Sequence, residues 1–529
     1  MDLDQVKRLY HTLRHLKFIQ VYYQLKYRLV RPKRVVTPIN GVFAKVDLID
    51  FPEKLKSLSI NKSVWSFSFL NCHHSFSKDV LDWSFGEYGM LWTYNLNYFD
   101  WLHQPGMTKE HGLETLSQFY STRGERNSII LHSYPTSLRI INTAKFVSKW
   151  NITEDSTFSD LLSDLKFLGG RLEYHLLANH LLENAFALYI GGLITNQSKF
   201  VQKGKKLLVR ELKEQVLSDG MHYERSPMYH LIILERLLDA LNFAKACGDD
   251  LEPVLQVYAV TMTGLAMNWE DLDRIPMMQD SAYGIALSLP EILEYSERLL
   301  AEAYPLKPND FMDSGYRRLN AANFALIANV GSISPSYQPG HAHSDELNFE
   351  LFYQGVPIIV DTGTSTYENN SRRNIERSTQ SHNCVVIENK NSSDVWSSFR
   401  VGKRAKVELK KEYPFIEAQC KSNNSNIKIN RRFSLTGDCL TIHDKYSPEF
   451  YMATGQIHFH PDISLVKASN NMLVLKHKKG LKLRLKTLKC AELKLESFEY
   501  SKGFNRTVKA IRVKYKFSEN EEINLKVSK

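Results

Sequence analysis

The feature that most constrains the fold is a change in hydrophobic periodicity near residue 312. From about 105 to 305, apolar residues recur at intervals of three and four, which is typical of amphipathic helices. These segments lie near 111–121, 134–150, 157–167, 172–190, 196–217, 226–246, 251–268 and 287–303. From Tyr316 onward, alternating apolar and polar residues predict short strands. About ten antiparallel helices predict an α/α toroid, and the second half predicts an antiparallel β-sandwich.

These patterns predict an α+β multidomain chain with three parts. Residues 1–35 form an N-terminal amphipathic helix, 36–312 the toroid and 313–529 the sandwich. Clefts between domains commonly hold binding sites, so we expect the site between toroid and sandwich. The amphipathic segment 9–29 is rich in basic residues and tyrosine. Packing on its own domain is favoured over contact with a membrane surface or a partner.

The charge balance favours an acidic partner. The 529-residue chain has a formal net charge of +10, which suits an acidic polysaccharide, a nucleic acid or an anionic membrane. It has no zinc-finger spacing, RNP motif or glycine-rich phosphate loop, which argues against nucleic acid. No run of 18 apolar residues predicts a membrane span. No secretory signal is recognised, so the sequence predicts a cytoplasmic location. The six cysteines form no CxxC pair and need not be bridged.

One short stretch concentrates histidine and aspartate side chains. Residues 348–353 and 356–360 predict a hairpin with a Gln-Gly turn. His341 and His343 are two residues apart and would share one face of an extended segment. Asp361 follows the hairpin, and His382 precedes a third predicted strand. Two histidines and an aspartate that converge form a plausible zinc set, whereas the alternative is histidines that only form hydrogen bonds at strand ends.

Two polar clusters interrupt the helical half. Asn179, His180 and Glu183 share one helix face, either lining a cleft or forming a network between helices. Tyr229 lies just after a Ser-Pro helix start, where a tyrosine could exchange protons, although plain packing is the commoner role. The aromatic and polar stretch 91–100 could stack sugar rings or fill a helical core.

Together these stretches resemble the heparinase II/III-like polysaccharide lyases, a group that includes oligoalginate lyases. The matching stretches, in the order of the family, are residues 95–100, 134–140, 179–183, 223–230, 340–345, 360–363 and 381–383. The resemblance implies an α/α toroid followed by an antiparallel β-sandwich. It also implies cleavage of uronic-acid-containing glycans by β-elimination.

The resemblance assigns roles to individual residues. It implies that Tyr229 is the catalytic tyrosine, that Asn179 or His180 lies beside the substrate carboxylate, and that His341 is a catalytic histidine. Glu183 is expected to be a nearby site carboxylate. Zn²⁺ is expected on His343, Asp361 and His382, as a structural ion that holds His341 at the cleft. Predicted substrate-binding residues are Arg139, Tyr134, Tyr98, Tyr223 and Glu224. Members of the family are often periplasmic or in the cell envelope.

Two other functions remain open at this point. A toroidal glycoside hydrolase would need two carboxylates, with Glu183, Glu224 and Asp280 available. A non-catalytic protein could handle an acidic glycan during capsule or exopolysaccharide assembly. The sequence also leaves open whether the uronan is of heparan, alginate or capsular type, and whether Tyr229 or His341 is the base.

Overall fold

The helical half of the chain matches the predicted periodicity. The computed structural model describes residues 3–30, 34–36, 45–61, 63–78, 80–121, 129–422, 427–447 and 452–528. The helices are α1 Leu3–Leu13, α2 Phe18–Leu29, α3 Met90–Tyr98, α4 Lys109–Ser121, α5 Ser133–Lys149, α6 Asp155–Gly170, α7 Ala178–Ile194, α8 Ser198–Gln215, α9 Pro227–Cys247, α10 Glu252–Ala266, α11 Leu289–Leu300 and α12 Ser371–Glu376. Helices α3 to α11 form the helical domain, and none of the described helices is long and apolar enough to cross a membrane.

The β half begins at Tyr316, and every pairing between its strands is antiparallel. The strands of the chain are β1 Leu58–Ile60, β2 Val64–Phe69, β3 Cys72–Ser77, β4 Tyr316–Ala321, β5 Phe324–Asn329, β6 Phe349–Tyr353, β7 Val356–Ile359, β8 Val385–Ile387, β9 Val395–Trp396, β10 Arg400–Val401, β11 Lys406–Lys411, β12 Ile416–Lys421, β13 Lys428–Thr436, β14 Cys439–Ser447, β15 Ala453–His458, β16 Ile463–Ser469, β17 Met472–His477, β18 Lys482–Thr487, β19 Glu492–Ser501, β20 Thr507–Phe517 and β21 Asn520–Ser528. The predicted change from helices to antiparallel strands is therefore confirmed.

Among the described residues, the β domain contains three large sheets and the two-stranded sheet β9–β10. An eight-stranded sheet has the order β11-β12-β13-β14-β21-β18-β17-β16, and two four-stranded sheets have the orders β19-β20-β15-β8 and β4-β5-β6-β7. The apolar faces of strands from all three sheets enclose one core that includes Phe349, Phe433 and Tyr515. The predicted hairpin is β6–β7, with the turn at Gln354 and Gly355. This arrangement places the segment before β6 against the helical domain.

Two local features of the structure differ from the helices that the periodicity predicts. The amphipathic segment 9–29 is divided between α1 and α2, which are separated by residues 14–17. The helix expected over 172–190 begins only at Ala178, because Leu177 and Ala178 both have positive φ angles, of 63° and 53°. Leucine and alanine rarely adopt this left-handed conformation, so the turn before α7 is strained.

Candidate active site

The helical wall of the site is built around the first turn of α7. The backbone N–H of Asn179 donates to Glu224 Oε1 at 3.0 Å, and its Nδ2 donates to both carboxylate oxygens at 3.0 Å. Asn179 Nδ2 also lies 3.4 Å from Nε2 of His341, which belongs to the β domain. Glu224 is buried and is followed by Arg225, which has a positive φ of 60°. Backbone strain on both sides of this contact is typical of functional sites.

His180 projects into the cleft beside two tyrosines. Its Nδ1 donates to Glu173 Oε1 at 3.1 Å, and Asn184 in turn holds Glu173. Burial lowers the pKa of His180, but the Glu173 carboxylate outweighs it, so the net shift is upward. The ring of Tyr134 lies 4.6 Å from that of His180, and the ring of Tyr98 lies 5.9 Å from Tyr134. This corner of the cleft therefore combines a readily protonated imidazole with an aromatic surface.

Tyr229 brings the two domains into direct contact. Ser226 accepts a hydrogen bond from the Tyr229 backbone and caps α9, which fixes the tyrosine in the first turn. The Tyr229 ring stacks on His341, with centroids 3.9 Å apart and an interplanar angle of 28°. Its hydroxyl lies 3.4 Å from the hydroxyl of Tyr367. Burial raises the pKa of Tyr229, so the phenol stays protonated at neutral pH.

Asp280 connects His341 to the interior of the β domain. Its carboxylate accepts from His341 Nδ1 at 2.9 Å and from His343 Nε2 at 2.9 Å. Arg373 forms a two-pronged ion pair with the same carboxylate, with Nη2 to Oδ2 at 2.7 Å. Burial opposes ionisation, but Arg373 and the two imidazoles hold the pKa of Asp280 well below its usual range. Since a carboxylate only accepts, His341 carries its proton on Nδ1, and its Nε2 lone pair faces the Asn179 amide across the cleft at 3.4 Å.

Two family models match the chain across both domains. The heparinase II/III N-terminus matches residues 141–287, and the heparinase II/III-like C-terminal domain matches residues 304–528. The chain belongs to the heparinase II/III-like family. This finding confirms the resemblance seen in the sequence, and both halves of the interdomain contact lie inside the matched regions.

Relatives and solved structures agree with this assignment. The heparin-sulfate lyase of Bacteroides thetaiotaomicron is 25% identical over 300 residues, covering 47% of this chain and 42% of the relative. That of Pedobacter heparinus is 26% identical over 222 residues, covering 36% and 32%. The chain thus matches less than half the length of these curated relatives.

The solved structures show the fold over more of the chain. A crystal structure of heparinase III has a TM-score of 0.66 at 14% identity, covering 85% of this chain and 79% of that chain. A heparan sulfate lyase from Pedobacter heparinus has a TM-score of 0.55 at 17% identity, covering 96% and 87%. These neighbours confirm the predicted fold class, a helical toroid followed by an antiparallel β domain.

The three candidate zinc ligands that the family implies lie close together, but they do not form a closed coordination site. His382 Nδ1 lies 2.8 Å from Asp361 Oδ2, and the His343 and His382 rings are 5.2 Å apart. His343 Nδ1 and His382 Nε2 are buried without a hydrogen-bond partner. Burial lowers the pKa of His343 to about 4, so it is neutral, and its other nitrogen donates to Asp280, as metal-bound histidines commonly do. The donor types fit Zn²⁺, and its presence here remains a prediction.

A different group has the tighter spacing. Among the described ranges, His460, Asp462 and His477 are the three residues whose candidate ligand atoms all lie within 4.8 Å of one another. Nδ1 of His477 accepts the Lys479 backbone N–H at 3.0 Å, and Nδ1 of His460 accepts that of Asp462 at 3.3 Å. These bonds place the proton of each neutral ring on Nε2, the atom that would have to bind a metal. The tautomers therefore oppose metal binding at this group.

Three predicted site residues lie outside the cleft. Arg139 is 1% exposed and donates to Asp164 at 2.7 Å, so its guanidinium has no access to a substrate. Glu183 is buried below the cleft near Arg236, and burial raises its pKa to about 8. The hydroxyl of Tyr223 forms a hydrogen bond with that of Tyr337 at 2.8 Å, so Tyr223 joins the two domains. The substrate-binding role predicted for Arg139 is therefore not supported by its position.

The same geometry weighs against a hydrolytic pair of carboxylates. Glu183 is fully buried, Glu224 is occupied by Asn179, and Asp280 is bound by Arg373 and two histidines. None of the three presents an accessible carboxyl group, whereas a glycoside hydrolase needs two around the scissile bond.

Sequence reasoning missed two residues of the site and misjudged a third. Tyr367 contacts Tyr229, and Arg373 fixes Asp280; neither was predicted. Asp280 was considered only as a hydrolytic carboxylate. The signal that was present is the arginine pair at 372–373, shortly after the 360–363 motif. The role of Arg373 depends on its contact with Asp280, which lies 93 residues away in the chain.

Proposed function

We propose that this protein is a polysaccharide lyase that cleaves uronic-acid-containing glycans by β-elimination. The observation that carries the proposal is the stacking of Tyr229 on His341 at 3.9 Å, with Asn179 in contact with the same imidazole. Two groups that transfer protons therefore meet at the interface of the domains. Both side chains are partly exposed to the cleft.

Charge neutralisation at the substrate carboxylate is the first requirement of the reaction. The C5 proton of a uronate becomes removable when negative charge can spread into the adjacent carboxylate and be stabilised there. His180 supports this role because its raised pKa favours the imidazolium form. Asn179 supplies an amide that Glu224 holds in one orientation.

His341 is the proposed base that removes the C5 proton. Asp280 accepts its Nδ1–H, so the imidazole presents the Nε2 lone pair. The two-pronged contact with Arg373 holds Asp280 in place, and Asp280 in turn orients the imidazole. This resembles the orientation of a catalytic histidine by a buried aspartate in other enzymes.

Tyr229 is the proposed acid that protonates the leaving O4 oxygen. Its raised pKa keeps the phenol protonated before the reaction. The Tyr367 hydroxyl lies 3.4 Å away and can stabilise the phenolate that forms after proton transfer. The assignment of base to His341 and acid to Tyr229 is part of the proposal.

We place a zinc ion on His343, Asp361 and His382 as a structural element. A bound divalent cation there would be a fixed positive charge that tethers these residues. His343 is two residues from His341 and shares Asp280 with it, so anchoring one histidine restrains the other. Elemental analysis of purified protein should give about one zinc per chain, lost in His343→Gln and retained in His460→Gln. Absence of zinc from the unaltered protein would refute this part alone.

The proposed substrate class is a uronic-acid glycan of the glycosaminoglycan type. The matched relatives are named heparin-sulfate lyases, and the net charge of +10 favours a polyanion. The test is incubation with a panel of uronic-acid glycans, read by the ultraviolet absorbance of unsaturated uronate.

Tyr229→Phe should lower kcat by about 10²–10⁴-fold. The matched control, Tyr223→Phe, should not. Chain shortening without unsaturated products would indicate hydrolysis and contradict the proposal.

A further inference from the structure

Helices α1 and α2 both pack on the protein, and α2 does so through one face only. Tyr27 donates to the carbonyl of Leu172 at 2.6 Å, and the ring of Tyr23 lies 4.6 Å from that of Tyr174. Gln20, the one buried residue of α2, donates to the carbonyl of Leu176. These contacts hold α2 on the helical domain and leave its opposite face outside the core.

That opposite face is an uninterrupted apolar stripe. Phe18 and Leu29 are 83% and 86% exposed, although large apolar side chains normally avoid water. The stripe on α2 consists of Phe18, Val21, Tyr22, Leu25 and Leu29, which recur at intervals of three and four. On α1, Val6, Tyr10 and Leu13 are exposed at the same spacing. A contiguous exposed face of this kind marks an interaction surface.

The charges beside the stripe identify the kind of partner. Lys26 and Arg28 fall on opposite edges of the α2 stripe by helical periodicity, and α2 contains no acidic residue. An apolar face with basic residues along its edges is typical of helices that lie in the surface of an anionic membrane. Long basic side chains can reach lipid headgroups while the apolar residues enter the acyl boundary.

A second copy of the chain fits this surface less well. A symmetric dimer through the stripe would bring each copy's Lys26 and Arg28 close to those of its partner, without an acidic residue on α2 to balance them. A soluble polyanion would use the basic edges but leave the apolar residues in water. We infer that the N-terminal segment α1–α2 docks the protein on an anionic lipid surface.

The segment α1–α2 also contacts the stretches of chain that lead to both walls of the cleft. On α1, Arg8 pairs with Asp394 at 3.0 Å and Thr12 accepts from Trp396 at 3.1 Å, in the segment that leads to Phe399 beside His341. On α2, the contacts to Leu172 and Leu176 lie just before Asn179. Docking through α1–α2 would therefore give the cleft a fixed orientation relative to the membrane.

The test is sedimentation of the full chain with lipid vesicles. Vesicles of phosphatidylcholine with phosphatidylglycerol should bind the protein, and vesicles of phosphatidylcholine alone should bind it at least about tenfold more weakly. Phe18→Ser/Leu25→Ser/Leu29→Ser and Lys26→Glu/Arg28→Glu should each reduce binding at least about tenfold. The control Val257→Ser/Leu306→Ser removes exposed apolar residues elsewhere and should bind like the unaltered protein. Circular dichroism and the melting temperature check that each variant is folded.

Two results would overturn the inference. One is that the anionic vesicles fail to bind the unaltered protein, or bind the folded triple variant equally well. The other is a stable dimer, seen by light scattering, that the triple variant converts to a monomer without any lipid binding. Lyase activity does not enter this test, so the docking surface and the proposed reaction succeed or fail separately.

Discussion

Two buried arginine–aspartate ion pairs in this protein have the same chemistry but different neighbours. Asp164 accepts from Arg139 at 2.7 Å and from Arg34 at 2.6 Å, and Tyr120 adds a hydrogen bond at 3.0 Å. Asp280 is bound by Arg373 at 2.7 Å. Both carboxylates are buried, and arginine partners lower the pKa of each despite the opposing effect of burial.

The difference lies in what else each carboxylate holds. The other partners of Asp164 are Tyr120 of α4 and Arg34 of the N-terminal segment, so its contacts join α4, α5 and α6 to one another and to that segment. Asp280 holds His341 and His343, and His341 reaches the cleft. The same kind of ion pair therefore stabilises one domain in the first case and orients a histidine at the domain interface in the second. The difference in role comes from the further residues that each carboxylate binds, which include a histidine of the cleft only at Asp280.

The largest expected effect comes from Asp280→Asn. An asparagine amide can donate to Nδ1 of His341 and reverse the tautomer that the carboxylate enforces. We expect kcat to fall by about 10²–10⁴-fold. Steady-state kinetics on protein shown by circular dichroism to be folded is the measurement. Near-normal kcat in the folded variant would show that Asp280 does not orient the base.

The matched substitution, Asp164→Asn, should lower stability and leave activity unchanged. It leaves two arginines without a full counter-charge, which typically costs about 3–5 kcal/mol in a buried site. Urea unfolding should show this loss in the free energy of unfolding, while kcat of the folded enzyme stays unchanged. A loss of kcat with intact stability would instead place Arg139 and Asp164 at the reaction, as the sequence predicted for Arg139.

A smaller effect is expected from pH. The pKa of Asp164 is lowered in the folded state, so its ionisation contributes stability above the unfolded value of about 3.9 and loses that contribution as pH falls through the folded value. The difference in unfolding free energy between the unaltered protein and Asp164→Asn should therefore be constant near neutrality and shrink below about pH 4. Unfolding curves at several pH values measure it, and a difference that grew on acidification would contradict this sign.

The smallest effects should come from the outer hydrogen bonds of the two pairs. Thr364 donates to Asp280 at 3.2 Å, and Tyr120 donates to Asp164 at 3.0 Å. Thr364→Val and Tyr120→Phe should each cost about 0.5–1.5 kcal/mol of stability. Only Thr364→Val should also lower kcat, by less than about tenfold, because only Asp280 orients a catalytic group. Equal effects on kcat would remove the distinction between the two pairs.

Local patterns predicted much of the fold and part of the site. Periodicities of three to four and of two residues follow directly from helix and strand geometry, which explains why the change of architecture near residue 312 was predictable. Tyr229, His341 and Asn179 were identified from short motifs, and the structure brings them together. Arg139 was misplaced because a motif identifies a residue type without showing whether its side chain faces the cleft or the core.

The sequence by itself determined the order of a helical half and an antiparallel β half, the family and the residue types that can exchange protons, because these depend on periodicity and on short ordered motifs. The tertiary structure alone decided which carboxylate orients His341, which arginine is a structural tie, and which face of α2 is left for a partner. Those outcomes depend on contacts between segments far apart in the chain, such as Arg373 with Asp280. Burial and charge at such contacts arise only when the domains pack together.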